Sequence, residues 1–319
     1  MSEAVQAVVI TEYGTAPAVG GWPRPTARFG ESLIQFEAGG LNPADLAIAS
    51  GRFYMPLPEP PCVAGVEAVG IVLESDRLPI GTRVWSLGVT GHFAEVFCAP
   101  DDQLVVVPEG IAAATAAAMG VAGLAGWMPV MSRGAMVPGE RVLVLGASGI
   151  VGQVAVQTAR AAGAGWIVAA ARSADGCRRA RLAGADAVVR LTDPDFDLQL
   201  ADAAGDGFDL VIDTLWGEPL QASLAALRTG ARIVHVGNAS APMASLIGGA
   251  LRGKRVDIRG FSIFSEPAEA IARDYPLLCQ AAAAGTVSIG IDEVRLDDAV
   301  RAWAEQAHQA SGRKIVLTA

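Results

Sequence analysis

Apolar residues in the first third of the chain recur with a period of two, in short stretches cut by glycine and proline. Residues 4–10 form one such stretch, and residues 32–38 (Ser-Leu-Ile-Gln-Phe-Glu-Ala) alternate as a half-buried strand does. The pattern returns at 63–73, 81–85 and 91–97, while Pro56, Pro58, Pro60 and Pro61 keep the segment before them extended. Many short strands with this punctuation predict a partly closed barrel or a sandwich. A turn at Asn42-Pro-Ala-Asp45 leads into a short helix over 46–49. After Pro108 the period changes, and 112–118 and 124–132 are alanine-rich and helical. From Arg141 onward, strands at 142–145, 166–171, 187–190, 210–212, 232–236 and 255–258 alternate with helical segments, which predicts a doubly wound parallel sheet. Helices are then expected over 268–284 and 297–309, with a closing strand at 314–317 that returns to the first domain. The expected α/β architecture has a domain in two pieces, 1–111 and 261–319, around an inserted domain at 112–260.

The inserted domain contains the most informative stretch. Val142-Leu-Val-Leu145 runs into Gly146-Ala-Ser-Gly149-Ile-Val-Gly152, and a helical pattern follows through Val154, Val156 and Ala159. Strand, tight turn and helix are the setting in which closely spaced glycines bind a dinucleotide, and Ala147-x-Gly149-x-x-Gly152 fits that fingerprint with alanine first. Gly149 lets backbone approach a pyrophosphate, and the helix starting near Ile150 aims its N–H groups and positive dipole end at it. Gly152 admits close packing of helix on strand. Gly146, Ala147, Ser148, Gly149, Ile150, Val151 and Gly152 are therefore candidate cofactor contacts. A second series, Gly120, Gly123 and Gly126, has no strand before it and reads as close helix packing.

The end of the next strand indicates which dinucleotide. An acid there would bind the ribose 2′-hydroxyl of NAD. This chain instead has Arg172, whose planar fork suits a 2′-phosphate, then Ser173, with Arg178 and Arg179 in the following helix. Asp175 comes three residues too late, so NADPH is the expected cofactor. The three histidines (His92, His235, His308) and four cysteines (Cys62, Cys98, Cys177, Cys279) are scattered, and no metal site is expected. Each histidine reads as structural. Without a Lewis acid, hydride transfer to an already polarised acceptor is easier than oxidation of a simple alcohol.

Composition narrows the setting. The 319 residues are 52% hydrophobic and carry a net charge of −9 with no basic stripe, which disfavours a nucleic-acid partner. No apolar run reaches the roughly 18 residues that span a bilayer. The start of the chain lacks a basic, apolar leader, and distant cysteines read as reduced thiols, so a cytoplasmic protein is expected.

Several segments stand in an order that resembles a known family: Gly146–Gly152, Leu41-Asn-Pro-Ala-Asp-Leu46, Gly65-Val-Glu67-Ala-Val-Gly70 and Gly91-His-Phe-Ala-Glu95. With Leu182-Ala-Gly-Ala-Asp186 and Gly230-Ala-Arg-Ile-Val-His-Val-Gly237-Asn238, they resemble the zinc-free quinone oxidoreductase branch of the medium-chain dehydrogenase/reductase superfamily over nearly the whole chain. The resemblance implies a GroES-like β-barrel catalytic domain, a Rossmann domain and an active site in the cleft between them. In zinc enzymes of the superfamily a cysteine ligand stands about where Asn42 stands here. By the same resemblance Asn42 and Asp45 face the nicotinamide, and Tyr54 lines the substrate pocket. Gly237, Asn238, Phe261 and Ser262 approach the nicotinamide end, and Lys314 reaches the cofactor from the returning tail. A homodimer paired along 254–264 is implied as well. Two departures bear on the cofactor: Ala125 stands where threonine is frequent, and Gly176 where a lysine often meets the 2′-phosphate.

Plainer roles also suit these residues. Asn42 and Asp45 suit a helix cap, Tyr54 a packing surface, Glu67 a structural acid and Asp213 a turn anchor. The expected activity is NADPH-dependent hydride transfer, without zinc, to a quinone or to the β-carbon of an α,β-unsaturated carbonyl, with Tyr54, Asn42 and Asp45 as catalytic candidates. A pathway-specific enoyl or imine reductase and a non-catalytic NADPH-binding protein are the alternatives.

Overall fold

A computed structural model describes residues 4–308 and 311–319; Gln309, the expected end of the last helix, lies outside them. Contacts group the chain into two compact units. The first is Met1–Ala122, Pro267–Ala284 and Gly290–Ala319, and the second is Gly123–Glu266 with Gly285–Ile289.

The chain opens with β1 (Ala4–Ile10), β2 (Ala18–Pro23) and β3 (Glu31–Gly40), followed by α1 (Pro43–Ala49). Proline suits the first turn of α1, where its missing N–H costs nothing, so this helix begins three residues earlier than expected. Then come β4 (Cys62–Val63), β5 (Glu67–Glu74), β6 (Arg83–Leu87), β7 (Val96–Pro100), β8 (Leu104–Val106) and α2 (Ala113–Ala118). The strand β2, Ala-Val-Gly-Gly-Trp-Pro, has no alternation to betray it; antiparallel pairing with β1, from Ala4↔Pro23 to Val9↔Ala18, holds it extended. In the larger sheet β3 pairs with both β5 and β7. At Gly70 a side chain would collide with the carbonyl of Gln35, so that pairing requires glycine.

The second unit holds α3 (Leu124–Met128), β9 (Arg141–Leu145), α4 (Ile150–Ala161), β10 (Trp166–Ala171), α5 (Ala174–Leu182) and β11 (Ala187–Arg190). It continues with α6 (Phe196–Ala204), β12 (Phe208–Asp213), α7 (Glu218–Ser223), β13 (Leu227–His235), α8 (Gly248–Lys254) and β14 (Asp257–Gly260). The sheet is parallel in the order β11-β10-β9-β12-β13-β14. Val142 to Leu145 are fully buried, as expected of a central strand covered on both faces. One face packs Leu143, Leu145, Val211 and Ile233 against Leu200, Leu220 and Leu224. Burying each such side chain contributes roughly 1.5–3 kcal/mol. The late strand β14 lies at the sheet edge, as its position in the sequence suggested.

The chain then adds α9 (Ala268–Ala283), β15 (Ile291–Arg295), α10 (Ala299–His308) and β16 (Lys314–Thr318). The closing strand does return to the first unit, where β16 pairs with β3 and β15. Against the expectation that no apolar stretch is long enough to span a bilayer, helical structure runs through all 21 residues of Ala113–Arg133, long and apolar enough by length and composition, but 78% of its apolar 18-residue window is buried within the protein. It is a core helix, kinked at Gly120 (φ −61°, ψ −120°).

Glycine does two different things in the helices of the second unit. A Cβ at Gly126 would lie 2.6 Å from the Val151 oxygen and from Val154 Cβ, so α3 meets α4 almost backbone to backbone. A Cβ at Gly152 would collide with the Gly146 oxygen and lie 2.6 Å from Ala147 Cα. At Gly253 in α8 there is nothing within 4 Å. Overpacking outweighs the roughly 1 kcal/mol that alanine's helix propensity contributes, so Gly152→Ala should destabilise by about 1–3 kcal/mol. Gly253→Ala should stabilise by about 0.5–1 kcal/mol. Thermal unfolding of the two variants checks the opposite signs.

Candidate functional site

At the C-terminal edge of the parallel sheet, Gly146 turns the chain out of β9 with φ +83°, a conformation that favours glycine. Gly149 precedes α4 with no side-chain cap, and the nearest atom to a Cβ built there is 3.6 Å away. An open approach to the N-terminus of a twelve-residue helix suits an anionic group. The Ser148 carbonyl accepts from Gln153 Nε2 at 3.1 Å and from Arg179 Nε at 3.3 Å, which ties the turn to α4 and α5. This arrangement of Gly146, Ala147, Ser148, Gly149, Ile150, Val151 and Gly152 fits the pyrophosphate of a dinucleotide.

The end of β10 lies beside this turn. Arg172 is exposed, and its carbonyl accepts from Arg190 Nε and Thr192 Oγ1, each at 3.3 Å. Ser173 caps α5, its Oγ accepting from Gly176 N at 3.0 Å. Arg178 pairs with Asp175 at 3.1 Å, both largely exposed. A Cβ at Gly176 would lie 2.8 Å from Ser148 Cβ. Glycine there lets α5 close on the Gly146–Gly149 turn, so the missing lysine has a steric counterpart. Arg190 went unnoticed in the sequence. It is the register partner of Ala171 across β10 and β11, and only the sheet order puts it beside Arg172.

Further along this edge, Gly237 N donates to the Asp213 carbonyl at 3.3 Å, and Asn238 is exposed. Phe261 is buried, with its N–H on the His235 carbonyl at 2.9 Å, and Ser262 follows it. Asp213 does anchor a turn, accepting from the N–H groups of Leu215 and Trp216.

The first unit contains a buried polar cluster built from distant segments. Lys314, expected at the cofactor, is 2% exposed and donates to the Leu41 carbonyl at 2.8 Å and Asn42 Oδ1 at 2.6 Å. Asn42 Nδ2 donates to the Gly40 carbonyl at 2.7 Å and Glu67 Oε1 at 2.8 Å, which uses both of its amide hydrogens. Asp45 accepts from Asn42 N at 2.7 Å and Val66 N at 3.0 Å. Glu67 Oε2 accepts from Trp85 Nε1 at 2.8 Å and Val121 N at 2.7 Å, so Glu67 is structural. Side chains at Gly40 and Gly120 would each collide with Glu67, and that accounts for Gly120, the first glycine of the second series. Tyr54 is 65% exposed, its ring centroid 4.6 Å from that of Phe53.

Burial shifts the charges of the cluster. It pushes Asp45 up to about 7; Glu67 adds to the rise, and the Asn42 and Val66 N–H groups and Lys314 oppose it. Burial raises Glu67 too, against Lys314 and the donors from Asn42, Val121 and Trp85. Burial lowers Lys314, against the two carboxylates. His92 is pushed down to about 4 by burial, and its ring lies 3.0 Å from both Ser86 Oγ and the Gly65 carbonyl, which makes it a structural histidine.

A family model described as alcohol dehydrogenase GroES-like domain matches residues 28–109, and one described as zinc-binding dehydrogenase matches residues 151–279. The quinone oxidoreductase of Sus scrofa is 32% identical over 221 residues, 67% of this chain and 66% of that protein. The mycocerosic acid synthase-like polyketide synthase of Mycolicibacterium smegmatis is 33% identical over 220 residues, 67% of this chain and 10% of that much longer protein. Among solved structures, the quinone oxidoreductase of Thermus thermophilus, determined also in complex with NADPH, aligns with a TM-score of 0.83. Its identity is 28%, over 98% of this chain and 100% of that one. The first unit contains the GroES-like domain and the second the Rossmann-type sheet.

Zinc, which the second family description names, does not fit the donors present. Asn42 offers its amide oxygen to an ammonium 2.6 Å away. Among the described residues, no three His, Cys, Asp or Glu side chains gather in a group that could hold a metal.

The raised Asp45 carboxyl has a consequence for stability. Its folded value of about 7 exceeds the ordinary 3.8, so between these two values the folded protein binds the extra proton. The contribution of Asp45 to stability therefore falls as the pH rises through that window and is level above it. The stability of the wild type minus that of Asp45→Asn should decline from about pH 4 to about pH 7. A flat difference in denaturant titrations would contradict the assignment.

Proposed function

We propose that this chain, which belongs to the medium-chain dehydrogenase/reductase superfamily, is an NADPH-dependent, zinc-independent reductase of quinones or α,β-unsaturated carbonyl compounds. The observation that carries the reading is the pairing of an open glycine turn at the N-terminus of α4 with Arg172 at the end of β10. Bound NADPH supplies the hydride. The chain's part is to hold and orient its surroundings. Backbone N–H groups at Ile150–Gly152 receive the pyrophosphate, the Gly149 N–H being held by the Gly146 carbonyl, and Arg172 and the Ser173 hydroxyl receive the 2′-phosphate. Arg178, engaged with Asp175, plays the smaller part.

Negative charge develops on the acceptor oxygen as hydride arrives and needs a donor. The Asn42 amide hydrogens are already given to Gly40 and Glu67, so Asn42 and Asp45 serve as positioning residues within the buried cluster. The donor then falls to the Tyr54 hydroxyl or to water. A match to a stretch of polyketide synthases supports a second reading within the same chemistry, reduction of an enoyl thioester in a biosynthetic pathway. A non-catalytic NADPH-binding protein is the reading to exclude.

Mixing the protein with NADPH and a panel of quinones, enones and enoyl thioesters tests all three, with NADPH absorbance as the readout. Oxidation by one class names the acceptor. Tight NADPH binding with no oxidation by any of them sinks the reductase reading. Arg172→Ala should weaken NADPH binding by roughly 10- to 100-fold, the worth of a charge-assisted hydrogen bond, and change NADH binding by no more than about twofold. Equal losses for the two cofactors would show that Arg172 does not read the phosphate.

A further inference from the structure

The end of β12 carries a group that cofactor binding at the glycine turn leaves unused. Asp213 is fully buried. One of its oxygens accepts from Leu215 N and Trp216 N, each at 3.0 Å. The other lies 3.3 Å from Nδ1 of His235, its register partner on β13. A carboxylate only accepts, so Nδ1 carries the hydrogen and the imidazole is held in one orientation. Trp216 completes the group, its ring tilted 44° on the His235 ring with centroids 4.2 Å apart. Its φ is +60°, a left-handed conformation that a bulky side chain rarely adopts, and Gly217 follows at +67°. Two positive-φ residues in succession thus shape this turn.

Backbone strain of this kind persists only where the surroundings over-determine it, and it gathers where a loop must hold one shape. This turn borders two other loops. Thr214 Oγ1 donates to the Leu145 carbonyl at 2.9 Å, and the same hydroxyl leaves no room for a Cβ at Gly146. Ala239 N donates to the Thr214 carbonyl at 3.2 Å, and Ser240 N to the Leu215 carbonyl at 2.8 Å. The loops after β9, β12 and β13 are thus ordered around residues 213–217. Strand order reverses between β9 and β12. A dinucleotide crossing there lays its adenosine half toward β10 and Arg172, and its nicotinamide half toward β12 and β13.

We propose that Asp213, His235 and Trp216 are positioning residues that hold the 213–217 turn in the shape that receives the nicotinamide half of NADPH, an inference that rests on the cofactor reading above. The probe that separates the two halves is 2′,5′-ADP, which has the adenosine 2′-phosphate and no nicotinamide. His235→Ala in the full-length chain should weaken NADPH binding by about tenfold and leave 2′,5′-ADP binding within about twofold, measured by calorimetry. His235→Gln, whose side chain can again donate an N–H to Asp213, should recover most of the loss. Trp216→Gly, which removes the ring while relaxing the backbone, should repeat the selective loss. Unchanged NADPH affinity in His235→Ala, an equal loss for both ligands, or no recovery in His235→Gln would overturn the proposal. A wild-type chain that binds neither ligand would overturn the cofactor reading and this inference together.

Discussion

One buried ammonium constrains the first unit. Lys314 lies among Asn42, Asp45 and Glu67, and two carboxylates taken out of water need a cation and donors close by. Residues of β16, the Gly40–Asp45 turn, β5 and the helix kink at Gly120 are drawn to one point, although up to 273 positions separate them. Glycine at 40 and 120 follows from this, because any side chain would occupy the space of the Glu67 carboxylate. The cap of α1 follows too, since Asp45 serves the Asn42 N–H and Val66 together. The last strand, paired with β3 and β15, carries that lysine into the cluster.

The second unit works under a different constraint, the close approach of backbone to backbone. Its parallel strands bury both faces, so every reversal happens at an edge, and the C-terminal edge collects the exits of β9, β10, β12 and β13. Glycine occupies the points where two of these segments touch: Gly146 against Thr214, Gly152 against Gly146, Gly176 against Ser148. Side chains then add charge and orientation, with Arg172 exposed at one exit and Asp213 with His235 at another. In the first unit the Asn42 oxygen faces an ammonium, which makes it a poor metal ligand.

Most of the architecture was legible in the chain. Strands with strong alternation or wholly apolar cores, such as β3 and β9, were found at nearly their true bounds, because burial of one or both faces imposes a period. The short β2, β8 and β15 were missed. β2 contains Gly20, Gly21 and Pro23 and carries no period; pairing with β1 makes it a strand. The core helix over Ala113–Arg133 read as two helices because its kink lies at a glycine.

The sequence by itself determined the doubly wound sheet, the glycine turn before α4 and the arginine at the end of β10. Each is a local pattern in which neighbouring residues state the geometry they need. Only the tertiary structure decided that Lys314 lies in a buried cluster, that the Asn42 amide is already committed, and that Arg190 stands beside Arg172. Apart from the Asn42–Gly40 bond, these are contacts between residues 18 to 272 positions apart, and no spacing in the chain encodes them. They arise when strand order brings edges together and buried charges have to find partners.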